Sequence, residues 1–152
     1  RLDSSAASDV YKRQVWRIRE QFEAIQQLEP YVIYDVSLPI RDMEKYIAEV
    51  GRRLEARMPG TRTFTFGHVG DGNLHLFVCP PHTDDHYEIA NECVYDPLKP
   101  LGGSVSAEHG IGTSKLRWLP HSRSQADIDL MRALKRSLDP KNILNPGRVV
   151  PA

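Results

Sequence analysis

The sequence lacks a long hydrophobic run, a basic excess and a glycine-rich dinucleotide motif. None of its apolar runs approaches the roughly 18 residues that a membrane-spanning helix needs, and no secretory signal is visible. Lysine plus arginine and aspartate plus glutamate both number 20, so the formal net charge is zero. Nucleic-acid and anionic-membrane partners, which normally require a basic excess, are therefore not expected.

Cysteine is also scarce, because Cys79 and Cys93 are the only two and they form no CxxC pair. This usage predicts small, buried hydrophobic residues in a reducing compartment, so we expect a cytoplasmic protein. No GxGxxG follows a predicted strand, so the sequence supplies no Rossmann-type site for a dinucleotide. The length of 152 residues favours one domain.

The first 14 residues, RLDSSAASDVYKRQ, differ from the rest because they are small and polar and show no helical or strand periodicity. The stretch AASDVYKRQ resembles a translated adapter at the end of a truncated reading frame. We therefore expect residues 1–14 to be a non-native leader and the domain to occupy residues 15–152.

Hydrophobic periodicity predicts an α+β fold. Apolar residues recur every three or four positions in the predicted helices and alternate in the predicted strands. The predicted elements are a helix over 15–28, a strand over 31–36, a helix after Ser37, strands over 61–68 and 74–79, and helices over 84–94 and after Ser124. A hairpin combined with helix-linked strands predicts an antiparallel sheet with helices on one face.

Three local signals refine this outline. Ser37 resembles an N-cap for a helix with an apolar stripe. Ser124 and Asp127 match a capping box, and the stripe after them contains Ile128, Met131, Leu134 and Leu138. Asn145-Pro146-Gly147 suits a type II turn. The stripe predicted after Ser37 contains Ile40, Met43, Ile47, Val50 and Leu54.

The stretch GHVGDGNLH carries a histidine on each side of a glycine-rich turn. If residues 70–73 form a hairpin turn, His68 pairs with His75, and directly opposed residues have Cβ atoms about 4.5–5.5 Å apart. Two imidazoles in this arrangement can converge on one metal ion. The alternative is that both histidines lie at the end of a sheet, hydrogen-bonded and inert.

The stretch SAEHGIG places Glu108 beside His109 in a glycine-flanked loop. A glutamate with two histidines is the ligand set of an open, catalytic type of zinc site. Taken alone, Glu108 is better explained as a solvated loop carboxylate, and His109 as a hydrogen-bonded loop histidine.

Three ordered segments, GHVGDGNLH, GGSVSAEHGIG and DPKNILNPGRV, resemble the C-terminal domain of FAD-linked oxidases of the vanillyl-alcohol oxidase superfamily. VWRIRE and YDVSLP are similar to segments of the same family, so the resemblance covers roughly residues 15–151. The group includes D-lactate dehydrogenases, glycolate oxidase large subunits and D-2-hydroxyglutarate dehydrogenases. The resemblance implies a ferredoxin-like cap domain with C-terminal helices, which works with an FAD-binding domain upstream.

The resemblance also implies roles for individual residues. His68, His75 and Glu108 match the ligands of a divalent metal, expected to be zinc, in the 2-hydroxyglutarate-type enzymes. His109 matches the base that contacts the substrate.

Three further residues match family positions. Arg19 matches an arginine that binds the substrate carboxylate, although an exposed helix arginine is the alternative. Asn73 and Asn145 lie in motifs that approach the flavin, although turn formation explains them almost as well.

The reaction implied by the resemblance oxidises a D-2-hydroxy acid to the 2-oxo acid, with hydride transfer to FAD and an unidentified electron acceptor downstream. Two departures bear on the substrate. The 2-hydroxyglutarate enzymes carry a lysine where this chain has Ile33 and an asparagine where it has Phe77. Losing two polar contacts favours a small 2-hydroxy acid of the lactate or glycolate type. Because FAD is expected to be bound mainly by the upstream domain, we expect the isolated chain to be inactive.

Two other classes of function fit the same residues. A stand-alone metal-dependent hydrolase would use the His-His-Glu set without a flavin. A non-catalytic ligand-binding module would use the histidines only to brace the turn. Within the superfamily, alkyl-glycerone-phosphate synthases perform no net redox chemistry, but the two-histidine stretch and the Glu-His pair favour the hydroxy-acid branch.

Overall fold

The computed structural model describes residues 4–20, 27–81 and 85–150, apart from the side chains of residues 4–8 and 18–20. The helices and strands are α1 (Ser4–Glu20), β1 (Val32–Ser37), α2 (Met43–Arg57), β2 (Arg62–Phe66), β3 (Asn73–Cys79), α3 (His86–Tyr95) and α4 (Gln125–Leu138). Short 3-10 helices cover Ile40–Asp42, Val69–Asp71, Asp96–Leu101 and Leu116–His121. The predicted α+β class is confirmed.

The sheet has three antiparallel strands in the order β1-β3-β2, so β3 is central. Side chains alternate between the two faces of a strand. Leu74, Leu76 and Val78 on one face of β3 are buried in the hydrophobic core with the apolar residues of α2 and α3. His75 and Phe77 belong to the opposite face. Helices α2 and α3 therefore cover one face, and His75 and Phe77 lie on the other.

The start of α2 differs from its prediction. Ser37 is the last residue of β1, where its N–H and C=O exchange hydrogen bonds with Ser104 at 3.1 and 2.7 Å. A backbone engaged in this bridge does not cap a helix, and α2 begins at Met43 after a 3-10 turn. Tyr46 replaces Ile47 on the buried stripe, while Ile40 and Ile47 are exposed.

Helix α1 begins before the predicted boundary at residue 15. Residues 4–14 are helical and continue without a break into Val15. The prediction of no periodicity overlooked the high helix propensity of alanine, lysine, arginine and glutamine in this segment. The second half of the predicted helix falls on residues 21–26, outside the described residues. The non-native origin of residues 1–14 stays a prediction.

The capping box at α4 is confirmed, but its stripe is only partly buried. The Ser124 hydroxyl accepts the N–H of Asp127 at 3.2 Å, and the Asp127 carboxylate accepts the N–H of Ser124 at 3.0 Å. Ile128 is buried, whereas Leu134 is exposed and Leu138 is 81% exposed. The predicted apolar face is therefore present on the helix, and its N-terminal half packs into the domain through Ile128 and the partly buried Met131.

The predicted turn near the C-terminus is also present. The N–H of Arg148 donates to the carbonyl of Asn145 at 3.2 Å, and Gly147 has φ +69°. A positive φ at the third position is the mark of a type II turn.

The hairpin register was predicted incorrectly. His75 pairs with Phe66, not with His68, because the ladder ends before the turn. The carbonyl of His68 accepts N–H groups from Asp71 and Asn73 at 3.1 and 3.2 Å, so it closes the turn instead of continuing the strand. Residues 67–72 thus form a longer connection than a tight hairpin turn needs.

The cysteines and the helices of the structure bear on two features of the composition. Both cysteines are free and buried, as expected, and burial raises the pKa of the Cys79 and Cys93 thiols. Within the described ranges, no helix has the length and apolar character required to cross a bilayer.

The connection depends on Gly67, which has φ +154° and approaches the returning strand closely. A Cβ at this position would lie 2.4 Å from the carbonyl oxygen of Asn73. We expect Gly67→Ala to lower the free energy of unfolding by about 2 kcal/mol or more, because a strained φ and a backbone clash coincide. Urea denaturation followed by circular dichroism measures this.

Gly70→Ala is the matched control within the same connection, since a Cβ there meets nothing within 4 Å and its φ is not in the left-handed region. Equal stability of the two variants would contradict the role assigned to Gly67.

Candidate functional site

The site lies on the sheet face that does not bear α2 and α3. In the register, Asp35 of β1 is paired with His75 of the central strand, so both belong to this face. The bridge between Ser37 and Ser104 attaches the following loop, residues 104–109, to the end of β1. The fold thereby brings Glu108 and His109 next to residues more than 30 positions earlier in the chain.

The structure brings together the three residues predicted as metal ligands. One ligand atom from each of His68, His75 and Glu108 lies within 4.8 Å of the other two. His68 Nδ1 is 3.0 Å from Glu108 Oε1, and His75 Nε2 is 4.0 Å from Glu108 Oε2. We call these three residues the ligand triad. The triad forms although the two histidines are not paired in the sheet as predicted. His68 lies in the turn, and the centroid of its ring is 6.1 Å from that of the His75 ring.

The donor set and exposure of the ligand triad fit a divalent cation. Two imidazoles and one carboxylate are the ligand set of catalytic zinc sites that leave a position for substrate. The His75 side chain is 14% exposed, whereas those of His68 and Glu108 are 44% and 47% exposed. The triad therefore has one side in the protein and one side open to solvent, where a substrate oxygen can approach.

His109 lies beside the triad. Its ring is stacked on that of His75, with centroids 6.0 Å apart and planes inclined by 25°. Its Nδ1 is 3.9 Å from Asp35 Oδ2, so Nε2, on the other side of the ring, is the nitrogen available to a substrate. More than half of the His109 side chain is exposed.

Asn73, predicted to contact the flavin, is almost fully buried behind Glu108. Its Nδ2 donates to Glu108 Oε1 at 2.6 Å, and its N–H donates to Asp71 Oδ1 at 3.2 Å. Asn73 therefore helps to hold the Glu108 carboxylate in place. Its contact with a flavin stays a prediction.

The other two predicted residues are not brought into the site by the described contacts. Asn145 lies in the type II turn and lines a groove of about 310 Å³ with Met131 and Leu134 of α4. Among the described residues, no hydrogen bond or ion pair joins Asn145 to the ligand triad. Arg19 lies in the last turn of α1, and its side chain is outside the described part of the chain.

Asp35 is a site residue that the sequence reasoning missed. It is fully buried, and its Oδ2 accepts the backbone N–H groups of Ala107, Glu108 and His109 at 3.1, 2.7 and 2.8 Å. The available signal was a charged residue inside the otherwise apolar strand VIYDVS. A buried charge in a strand is rare unless it is paired, and it therefore marks a structural or functional demand.

The electrostatics of Asp35 explain how it stays ionised. Burial raises the pKa of this carboxyl. Two other effects outweigh burial and hold the pKa below its ordinary value: hydrogen bonds from the backbone of His109 and Glu108, and the nearby charges of His109 and Lys115. Burial in turn lowers the pKa of Lys115, and the Asp35 charge opposes that shift. Lys115 Nζ donates to Ser106 Oγ at 3.0 Å, which places its charge on the same loop.

An apolar row lies next to the site on the same sheet face. The register pairs Ile33 with Phe77 and Phe77 with Phe64, and these three residues form the apolar row. The row lies two residues along the strands from the paired residues Asp35 and His75. Two residues of a strand span about 6.6 Å. Phe77 is 5% exposed and Ile33 is 42% exposed, and the ring of Phe66 lies 5.5 Å from that of Phe77. The side chains of Asp35 and His75 thus have an apolar neighbourhood on one side.

Comparison with known proteins gives a consistent match. The family model "FAD linked oxidases, C-terminal domain" matches residues 3–149. The D-2-hydroxyglutarate dehydrogenase of Stutzerimonas stutzeri (strain A1501) is 34% identical over 152 residues, covering 95% of this chain and 32% of that protein. The enzyme of the same name from Xanthomonas citri pv. viticola is 39% identical over 149 residues, covering 93% and 31%.

A mitochondrial D-2-hydroxyglutarate dehydrogenase from Rattus norvegicus is 38% identical over 154 residues, covering 99% of this chain and 28% of the relative. The chain therefore spans about a third or less of the length of the curated relatives it matches.

The ligand triad predicts stoichiometric binding of zinc by the 152-residue chain. We expect one Zn²⁺ per chain by isothermal titration calorimetry, with affinity reduced at least tenfold in His75→Ala and in Glu108→Ala, because a ligand is lost in each. His86→Ala removes a histidine at the start of α3, outside the triad, and is the control for the loss of an imidazole. Unchanged zinc affinity in both triad variants would rule out this site.

Proposed function

The chain belongs to the FAD-linked oxidase family as its C-terminal domain, and from this premise we propose that it is the substrate- and metal-binding part of a flavin-dependent D-2-hydroxy acid dehydrogenase. The observation that carries the proposal is the convergence of the ligand triad beside His109. When bound, a divalent ion at the ligand triad would make the substrate hydroxyl more acidic, and FAD would serve as the acceptor of the hydride that leaves C2 as the 2-hydroxy acid becomes a 2-oxo acid. Asn73 and Asn145 are the proposed contacts to the flavin.

The chain's own residues supply orientation and a proton acceptor. His109 takes the proton of the 2-hydroxyl at Nε2, since Nδ1 faces Asp35. A neutral histidine is suited to this task near neutral pH. The proposed role of Arg19 is a charge-assisted hydrogen bond to the substrate carboxylate, which fixes C2 relative to His109.

We propose a small or apolar 2-hydroxy acid, of the lactate or glycolate type, as the substrate. The support is the apolar row, because Ile33 and Phe77 are paired directly beside the row of Asp35 and His75. A second substrate carboxylate placed against these side chains would lose hydration without gaining a partner, at a cost of several kcal/mol. A methyl group or a hydrogen atom carries no such penalty.

D-2-hydroxyglutarate is the second candidate, and it takes support from the names of the relatives, which are D-2-hydroxyglutarate dehydrogenases. A structural feature also favours it. A cavity of about 400 Å³ along β1 is lined by Ile33 and by Lys115, whose positive charge suits a second carboxylate. The hydrogen bond from Lys115 to Ser106 Oγ competes with that use.

Ligand binding to the zinc-loaded chain tests the proposed site. We expect D-lactate to bind measurably by calorimetry only in the presence of Zn²⁺. Propionate, which has the carboxylate and the methyl group but lacks the hydroxyl, should bind at least tenfold more weakly, because it cannot present the group on which the chemistry acts. Binding of both acids with equal affinity would contradict the proposal, as would hydrolysis of a model ester by a chain that binds neither acid.

The substrate proposal is tested at Ile33, which is exposed enough to accept a longer side chain. We expect Ile33→Lys to raise the affinity for D-2-hydroxyglutarate relative to D-lactate about tenfold, since a hydrogen bond to a charged group contributes about 1.5 kcal/mol or more. Ile33→Met, with a similar length and no charge, is the matched control. A wild-type chain that already prefers D-2-hydroxyglutarate would select the second candidate.

A further inference from the structure

The two oxygens of the Asp35 carboxylate have different surroundings. Oδ2 accepts three consecutive backbone N–H groups, those of residues 107–109, and lies 3.5 Å from Ser106 Oγ. Oδ1 is buried and has no hydrogen-bond partner among the residues that the structure describes. The His75 imidazole faces it, with Nδ1 3.7 Å away. A buried carboxylate oxygen without a partner requires an explanation, because leaving it unsatisfied costs free energy.

We propose that Asp35 is a positioning residue for the metal centre, which orients His75 through Oδ1 while it holds Glu108 and His109 through Oδ2. This inference rests on the metal site of the proposed function and assigns Asp35 a role within it. A single side chain would thereby fix the relative positions of two ligands and the proposed base.

The orientation of His75 follows from the polarity of its neighbours. A neutral imidazole carries one N–H and one lone pair, and a neighbouring carboxylate favours the N–H on its own side. With Nδ1 facing Asp35, the proton belongs on Nδ1 and the lone pair on Nε2. Nε2 is the nitrogen that faces Glu108 Oε2, at 4.0 Å, and is therefore the atom presented to a cation. Metal-ligating histidines commonly donate their other N–H to a carboxylate in this way.

The contacts of Oδ2 set the other half of the site. Three successive N–H groups directed at one oxygen leave the backbone of residues 107–109 little freedom. The carbonyl of Asp35 also accepts the N–H of Ala107 at 3.3 Å, so the loop follows the end of β1. Without the carboxylate, the side chains of Glu108 and His109 would lose their fixed distance from the sheet.

An alternative role for Asp35 is that of a direct ligand. Ligand atoms of Asp35, His75 and His109 also lie within 4.8 Å of one another. Two observations disfavour this arrangement: Oδ2 is already occupied by three donors, and Asp35 has no solvent exposure, whereas two members of the ligand triad are half exposed. The alternatives differ in one measurable respect, since His75 would bind a metal through Nδ1 in the second arrangement and through Nε2 in the first.

Nitrogen NMR of the wild-type chain tests the orientation directly. In the metal-free, ¹⁵N-labelled chain, we expect the neutral His75 ring to carry its proton on Nδ1. After loading with ¹¹³Cd²⁺, the metal coupling should appear at Nε2. A proton on Nε2 in the free chain, or a coupling at Nδ1 in the loaded chain, would overturn the proposal without any variant.

Asp35→Asn provides the second test. The amide oxygen can continue to accept the N–H groups of the loop, which turns Nδ2 and its hydrogens towards His75. We expect the proton of His75 to move to Nε2 and the affinity for Zn²⁺ to fall between about tenfold and a hundredfold, in the range seen when the carboxylate partner of a ligand is altered. The control is Asp139→Asn. Asp139 is also buried and accepts the N–H groups of Ile143 and Leu144, but it faces no histidine of the site.

Failure of this inference differs from failure of the proposed function. If the wild-type chain binds no Zn²⁺, the proposed function fails and the metal centre with it, while the position of the His75 proton still decides whether Asp35 orients His75. If the wild type binds Zn²⁺ and Asp35→Asn binds it equally well with an unchanged His75 tautomer, the inference alone fails. Should Asp35→Asn not fold, the wild-type spectra remain decisive.

Discussion

The site depends on one buried carboxylate that is satisfied by the backbone of a distant loop. Asp35 has no solvent exposure, and an ionised carboxylate in this environment is tolerated only when hydrogen bonds replace its hydration. The N–H groups of residues 107–109 supply that replacement. Those of His109 and Glu108, together with nearby positive charge, hold the pKa of Asp35 down despite burial. The requirement is mutual, because the loop has no regular structure of its own and takes its conformation from the carboxylate. Glu108 and His109 are therefore positioned by a residue more than 70 places earlier in the chain.

The elements that depend on local chemistry could be predicted from the sequence. A β-rich run located β1, and alternation of apolar side chains located β2 and β3. The capping box at Ser124 and the turn at Gly147 were correct because a few adjacent residues determine each of them. Ser37 failed as an N-cap because its backbone forms a bridge with Ser104, a partner that no local pattern reveals. The stripe predicted for α2 was correct at Met43, Val50 and Leu54 but wrong at Ile47, because Tyr46, whose hydroxyl donates to the carbonyl of Val94, occupies the buried position instead.

The candidate site was predicted in composition but not in geometry. Opposed strand positions were expected to bring His68 and His75 together, whereas His68 lies outside the ladder and reaches His75 from the turn. Asp35 was missed because its importance comes from three contacts more than 70 residues away, and a single sequence contains no record of such contacts. Asn73 was assigned to a flavin on the basis of its motif, and its hydrogen bond to Glu108 became visible only in three dimensions.

The division of the sheet face into two rows separates chemistry from selectivity. In the proposed function, the row that contains Asp35 and His75 fixes charge and proton positions, and Asp35 joins it to the loop through three backbone hydrogen bonds. The adjacent row of Ile33 and Phe77 contributes apolar surface. A substitution in the second row would alter which substrate side chains the site excludes. It would change the free energy of unfolding only modestly, because a position such as Ile33 is partly exposed. A change in the first row leaves a buried charge or donor without its partner, which costs more. Selectivity for the substrate side chain is therefore expected to vary within this family at fixed chemistry, because the sheet places the two functions two residues apart on the same strands.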